Sequence, residues 1–268
     1  MIKVGIVGCG AIGSYLVRSI CKRYKGKIDL VGVCDIEKSK IVKLNRSLKK
    51  KIIYCPLKTL VKRSDLVIEA ANGITAAEVI KEALVCGADV MIMSVGGILL
   101  NPGLLKKIEK KKIKLYVPSG AISGLDALKA AKAGRITSVK ITTRKPIDGL
   151  IGAPYLKKKN IDLTTIKTER VIFRGSALEA VADFPQNINV AAILSLAGIG
   201  PKKTRVEIVA SRKTKRNIHT IEIKGDFGTI LNCTENLPSK VNPKTSMLAM
   251  LSAIGTLDSI LSNVKIGT

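Results

Sequence analysis

KVGIVGCGAIGSYLVRSI, residues 3 to 20, decides the fold. An apolar run ending at Val7 enters a turn with glycines spaced G-x-G-x-x-G, at Gly8, Gly10 and Gly13. The chain leaves it with Ile12, Leu16, Val17 and Ile20 at helical spacing. Strand, glycine turn and helix in this order make a phosphate-binding corner. Gly8 suits the tight turn, Gly10 lets the backbone approach a pyrophosphate, and Gly13 lets the helix pack on the strand. Ala11 and Ile12 open the helix, whose N–H groups and positive dipole end favour an anion. Asp35 ends the next strand-like run, LVGVCD, where a carboxylate reaches the hydroxyls of an adenine-linked ribose. A dinucleotide is therefore expected. The carboxylate repels a 2′-phosphate and points to NAD, while Lys38 and Ser39 nearby in sequence leave NADP open.

Outward from this corner, DLVIEAA, DVMIMSV and KLYVPS repeat the strand pattern, each strand followed or preceded by a helical stretch. Continuous apolar strands separated by helices predict a parallel sheet covered on both faces. The fold expected is α/β, a doubly wound parallel Rossmann sheet over residues 1–118. Two further strand ends, Ala70-Ala71-Asn72-Gly73 and Ser94-Val95-Gly96-Gly97, fall on the carboxyl edge of that sheet, either as tight turns or as cofactor contacts. From about Ile136 the texture changes to alternating segments, SVKITTR, ERVIFRG, RVEIVAS and HTIEIKG, with one apolar helical stretch, NVAAILSLAGI. This predicts a second, smaller α+β domain over 119–241 with a mainly antiparallel sheet. Met247, Leu248, Met250, Leu251, Ile254, Leu257 and Leu261 have helical spacing after Asn242-Pro243, a favourable cap and first-turn pair. Residues 242–268 are expected to form a helix that packs back on the first domain.

A chain of 268 residues, 46% hydrophobic, can bury one or two cores. The formal charge of +26 raises nucleic acid as a partner. The lysines are scattered in short runs, such as Lys49 to Lys51, Lys110 to Lys112 and Lys157 to Lys159. Three Phe, five Tyr and no Trp leave few side chains to stack on bases. Solvated surface lysine, which would enrich anionic ligands near the protein, accounts better for the charge. Six cysteines form no CxxC pair, so neither a metal site nor a disulfide framework is expected. No run reaches the roughly 18 to 20 apolar residues of a membrane span, and the start lacks a secretory leader. A cytoplasmic protein is expected.

With the glycine turn, five blocks carry a resemblance: PSGAISGLDALKAA (118–131), TTRKP (142–146), FPQNINVAA (184–192), NIHTIEIKGDFG (217–228) and NPKTSMLAMLSAI (242–254). In composition and order they resemble the archaeal and bacterial L-aspartate dehydrogenases across nearly the whole chain. The resemblance implies NAD(P)-dependent oxidation of L-aspartate to iminosuccinate, which hydrolyses to oxaloacetate and ammonia or feeds NAD biosynthesis. It also implies a homodimer whose second domain supplies active-site groups and subunit contacts. The family's proposed catalytic histidine matches His219, and its nicotinamide-side contacts match Ala121 and Asn189, with Asn187 competing for the latter assignment.

His219 is the only histidine in the chain. Alone on an alternating strand it reads as structural; the resemblance makes it the base, since an imidazole of ordinary pKa near 6.5 takes a proton close to neutral pH. The two substrate carboxylates call for cations, and Arg144, Lys145 and Lys244 are candidates that could equally be solvated charges. Asn187 and Asn189 either cap the apolar helix or bind the nicotinamide end. Ser119 and Ser123 either bind local backbone or a substrate carboxylate. Two rivals remain: a related reductase of dihydrodipicolinate-reductase or homoserine-dehydrogenase type, and a non-catalytic dinucleotide-sensing or nucleic-acid-binding regulator.

Overall fold

The computed structural model describes residues 1–49, 51–184, 188–239, 242 and 245–267. These divide into two compact units, Met1–Pro118 with Met250–Asn263, and Ser119–Ala249 with Val264–Thr268. The second takes about as many residues as the first.

The first unit is built on β1 (Ile2–Val7), β2 (Ile28–Cys34), β3 (Leu66–Glu69), β4 (Asp89–Ile92) and β5 (Leu115–Tyr116). They pair in parallel in the order β2-β1-β3-β4-β5. The helices between them are α1 (Ala11–Arg23), α2 (Lys38–Leu48), α3 (Leu57–Lys62), α4 (Gly73–Cys86), α5 (Gly96–Leu99) and α6 (Gly103–Lys111). All four residues of β3 are buried, as a strand covered on both faces requires. Tyr54 adds a single parallel bridge to Val33 outside β2, fixed by Val33 N–H to Ile53 O and Cys55 N–H to Val33 O. Counted as a rudimentary strand, it extends the sheet to the dinucleotide-binding order 3-2-1-4-5-6. The chain's course reverses between β1 and β3, and ligands of such sheets bind outside the carboxyl ends of the strands at that reversal.

The second unit contains β6 (Ile136–Pro146), β7 (Glu169–Ser176), β8 (Arg205–Ser211), β9 (Asn217–Gly225) and β10 (Gly228–Asn236), in the order β10-β9-β6-β8-β7. Among the described residues only β6 and β8 pair in parallel; the other neighbours are antiparallel. Its helices are α7 (Leu125–Ala131), α8 (Pro154–Lys158), α9 (Ala177–Asp183) and α10 (Asn189–Ala197). β6 and β9 alternate in burial, so Val139, Ile141, Thr143 and Lys145 share the inner face with Asn217, His219, Ile221 and Ile223. β10 has no counterpart among the expected strands. Of its inward positions Ile230, Asn232, Thr234 and Asn236, three are polar and Leu231 is exposed, which erases the hydrophobic alternation by which a half-buried strand is read.

The last helix, α11 (Met247–Leu261), begins in the second unit and from Met250 onward belongs to the first. Ala253, Ile254 and Leu257 join the core formed by Leu16, Val17, Ile20 and Tyr24. Asp258 accepts 2.8 Å hydrogen bonds from the Tyr24 hydroxyl and from Arg23. The expected cap at Asn242-Pro243 falls partly outside the described residues, at Pro243.

Candidate functional site

At the β1–α1 corner the three glycines are required for different reasons. Gly8 has φ +96°, and a Cβ there would stand 2.6 Å from the Ala70 carbonyl oxygen. A Cβ on Gly13 would run into the Gly8 carbonyl, so its absence lets α1 sit on the turn. Gly10 differs: its backbone is extended, it is exposed, and among the described residues no atom beyond itself and its two chain neighbours lies within 4 Å of where its Cβ would be. The protein itself does not need glycine there. A ligand that uses the space does. No side chain caps α1 at Gly10 and no acidic residue occupies its first turn, so no carboxylate opposes an anion at the positive end of the helix.

Gly8 and Gly10 open onto a cleft of about 360 Å³ lined also by Asp35, Ile36, Lys40, Ala70 and Asn72. The residues present fit a dinucleotide. Asp35 stands at the end of β2, where Cys9 N–H donates to Oδ2 at 2.6 Å and Glu37 N–H to Oδ1 at 2.8 Å. Two backbone donors thus fix the carboxylate against the glycine turn, and each oxygen keeps a lone pair for a ribose hydroxyl. Of Lys38 and Ser39, which the sequence offers to soften its preference, Lys38 is engaged elsewhere; Lys40, not among them, lines the cleft. Lys38 Nζ lies 4.9 Å from the centroid of the Tyr54 ring, and Lys40 pairs with Glu37 at 2.7 Å. Cys9, inside the glycine turn, is pushed up to about 12 by burial, then by Asp35, so this thiol stays neutral.

The two further strand ends behave differently. Ala70, Ala71 and Asn72 line the cleft, and the Asn72 side chain caps α4 by accepting from the N–H groups of Ile74 and Thr75, each at 3.0 Å. Ser94 to Gly97 are buried instead.

In the second unit His219 lies near the start of β9, the strand next to the edge strand β10, directly opposite Thr143 on β6 and Thr234 on β10. Its Nδ1 is 3.0 Å from Thr143 Oγ1. Burial lowers its pKa to about 3, with the Lys145 charge acting the same way. The imidazole is therefore neutral at pH 7, well removed from the ordinary value near 6.5 expected from its residue type. Lys145, two residues beyond Thr143, is buried on the same face.

Ala121, also expected, is buried and tied to this sheet. Its carbonyl accepts from Thr234 Oγ1 at 3.0 Å and from Asn236 Nδ2 at 2.9 Å. Asn236 stands opposite Asn217, whose side-chain amide reaches Ser246 Oγ at 3.5 Å. His219, Lys145 and Ala121 are thus connected through one inner face, together with Thr143, Thr234, Asn236 and Asn217, none of which the sequence singled out. Their only signal is position: an i, i+2 step from an expected residue or a place directly across the ladder.

Arg144 is not brought to that face. Adjacent residues of a strand point to opposite sides, and its guanidinium pairs with Glu169 at 3.0 Å. Asn189 is the first residue of α10; Ile188 is the N-cap and carries no side-chain cap bond. Ser119 is half-buried just before Gly120, which has φ +67°. Asn187 and Lys244 lie outside the described residues. No helix of the described residues is long and apolar enough to cross a membrane.

Comparison with known proteins places this geometry among relatives. Residues 126–260 match the family described as aspartate dehydrogenase, C-terminal, and residues 8–118 match the homoserine dehydrogenase NAD-binding domain. Over the full length of both chains the sequence is 44% identical to an L-aspartate dehydrogenase of Methanosarcina barkeri and 45% identical to that of Methanosarcina mazei. The solved aspartate dehydrogenase of Thermotoga maritima superposes with a TM-score of 0.76 at 26% identity, covering all of both chains.

Proposed function

The chain belongs to the aspartate dehydrogenase family, and from that membership we propose that it oxidises L-aspartate to iminosuccinate with NAD or NADP as acceptor. It is an oxidoreductase whose first domain binds a pyridine nucleotide. Iminosuccinate hydrolyses to oxaloacetate and ammonia or enters NAD biosynthesis. The observation that carries the reading is the pairing, in one chain, of a glycine corner open only at Gly10 with a buried imidazole held by a hydroxyl beside a buried lysine.

When bound, the nicotinamide supplies a two-electron acceptor for the substrate Cα–H. Gly8, Gly10, Gly13 and the N–H groups at Ala11 and Ile12 hold the pyrophosphate, and Asp35 holds the adenine-linked ribose. Preference for NAD follows from the fixed Asp35 carboxylate and from Lys38, which is engaged with Tyr54. Ala121 and Asn189, or Asn187 in its place, serve the nicotinamide end.

His219 takes the proton released from the substrate amine or from attacking water. Being neutral, it needs no prior deprotonation, but a pKa near 3 makes it a weak base. Burial is the larger cause of this and the Lys145 charge the smaller. A substrate carboxylate paired with Lys145 cancels only the smaller one, which moves the base upward without removing the effect of burial. Thr143 sets the tautomer: with Nδ1–H donating to its hydroxyl oxygen, Nε2 is left as the acceptor. Lys244 and Ser119 are the further candidates for the second carboxylate; Arg144, turned toward Glu169, serves the sheet instead.

The same reading takes the enzyme as a cytoplasmic homodimer. Subunit contacts fall to the second unit, whose edge strand β10 carries Leu231, 68% exposed. The test is a screen of amino acids for production of reduced nicotinamide. L-Aspartate should be the preferred substrate; turnover of homoserine without L-aspartate would overturn the proposal.

A further inference from the structure

Glu69 ends β3 with none of its surface exposed, and it is not among the residues that line the dinucleotide cleft. The other residues of that strand are Leu66, Val67 and Ile68. An ionisable side chain in such a place is expensive unless donors surround it. Donors do. Oε1 accepts from Ala71 N–H at 2.7 Å and from the Ser94 hydroxyl at 2.8 Å, and Oε2 accepts from Ser94 N–H at 3.0 Å.

One carboxylate therefore joins two crossover loops, the one from β3 into α4 and the one from β4 into α5. A second tie lies beside it, where a Cβ on Gly97 would run into the Gly73 carbonyl, so the two loops touch backbone to backbone. The first of these loops borders the glycine turn: a Cβ on Gly8 would meet the Ala70 carbonyl oxygen at 2.6 Å and the Ala71 side chain at 3.0 Å. The chain of contact runs Ser94, Glu69, Ala71, Gly8. Ala70, Ala71 and Asn72 line the cleft, whereas Ser94 to Gly97 are buried behind it.

We propose that Glu69 is a positioning residue for the dinucleotide, holding the Ala70-Ala71-Asn72 backbone against the glycine turn through a bridge to Ser94. It touches no ligand. An apolar side chain could finish β3 but would leave the N–H groups of Ala71 and Ser94 without this acceptor and the loop free to move away from Gly8. Burial raises the Glu69 carboxyl, and the donors partly restore its charge, in keeping with a group retained for its hydrogen bonds. The inference rests on dinucleotide binding by the first domain.

The experiment compares wild type, Glu69→Gln and Ser94→Ala in NADH affinity, KM for NAD, kcat at saturating NAD and melting temperature. The Gln amide keeps the size but presents N–H to donors, so one backbone donor loses its acceptor. Glu69→Gln should raise the Kd for NADH and the KM for NAD about tenfold while kcat moves much less, and Ser94→Ala, which removes only the hydroxyl, should give about a threefold rise. A lowered melting temperature with unchanged NADH affinity would overturn the proposal, because Glu69 would then serve the fold alone. Should Glu69→Gln fail to fold, Ser94→Ala decides, and an unchanged Kd there overturns it. Wild-type protein that binds neither NADH nor NADPH would overturn the cofactor reading and this proposal with it; affinity that is normal in wild type and both variants overturns this proposal alone.

Discussion

Thr143 Oγ1 stands 3.0 Å from His219 Nδ1 across the β6–β9 ladder, both side chains buried on the inner face of the second sheet. A buried imidazole with one nitrogen engaged has one nitrogen left for chemistry. Which role that nitrogen plays depends on where the hydroxyl leaves the proton. Thr143→Val keeps the volume and removes the hydroxyl. It should lower kcat/KM for L-aspartate about tenfold with NADH affinity unchanged, and Thr143→Ser should restore most of the loss. Equal kcat/KM for the valine and serine variants would remove Thr143 from the account.

The depressed His219 pKa also has a consequence for stability. In the unfolded chain the imidazole binds a proton as pH falls through about 6.5, whereas in the folded chain it stays neutral until about 3. Stability is therefore lost progressively on acidification through that window, at roughly 1.4 kcal/mol per pH unit at most. Glu69, whose carboxyl is raised, acts in the opposite sense, so the difference between two proteins is the informative quantity. Denaturant titrations at pH 7 and pH 5 should show a larger loss in wild type than in His219→Gln. Parallel losses would place the histidine in water.

Gly10 borders open space, whereas Gly13 is packed against the Gly8 carbonyl. Gly10→Ala adds a methyl where the protein leaves room on an ordinary backbone, so its melting temperature should stay near that of wild type while the Kd for NADH rises tenfold or more. Gly13→Ala should lower the melting temperature, because its methyl meets the Gly8 carbonyl. NADH affinity unaltered in Gly10→Ala would mean that no pyrophosphate lies there.

Asp35 is held by two backbone donors, so its removal should act on selectivity more than on the shape of the turn. Asp35→Ser is expected to move the ratio of kcat/KM values toward NADP by about tenfold or more. An unchanged ratio would assign the ribose to another group.

The first domain was legible because its signals are local. The G-x-G-x-x-G turn, the continuous strands and Asp35 each depend on neighbours in sequence, and the structure realises them as β1, α1 and the end of β2. Glu69 was not legible as anything but a strand end, since its partners Ala71 and Ser94 become meaningful only once two loops meet. In the second domain the alternation of β6 and β9 gave the strands, but register decides which polar residues face His219. Thr143 and Thr234 enter through pairing, and Lys145 and Arg144, adjacent in sequence, go to opposite faces. Composition also could not reveal that burial moves the only histidine far below its ordinary pKa.

The most direct measurement is the steady-state oxidation of L-aspartate by His219→Ala beside wild type, with the Kd for NADH determined on the same preparations. The account predicts aspartate-dependent reduction of NAD by wild type, a fall in kcat of about 10²-fold or more in the variant, and NADH affinity within about twofold. Near-normal turnover in the variant would contradict it.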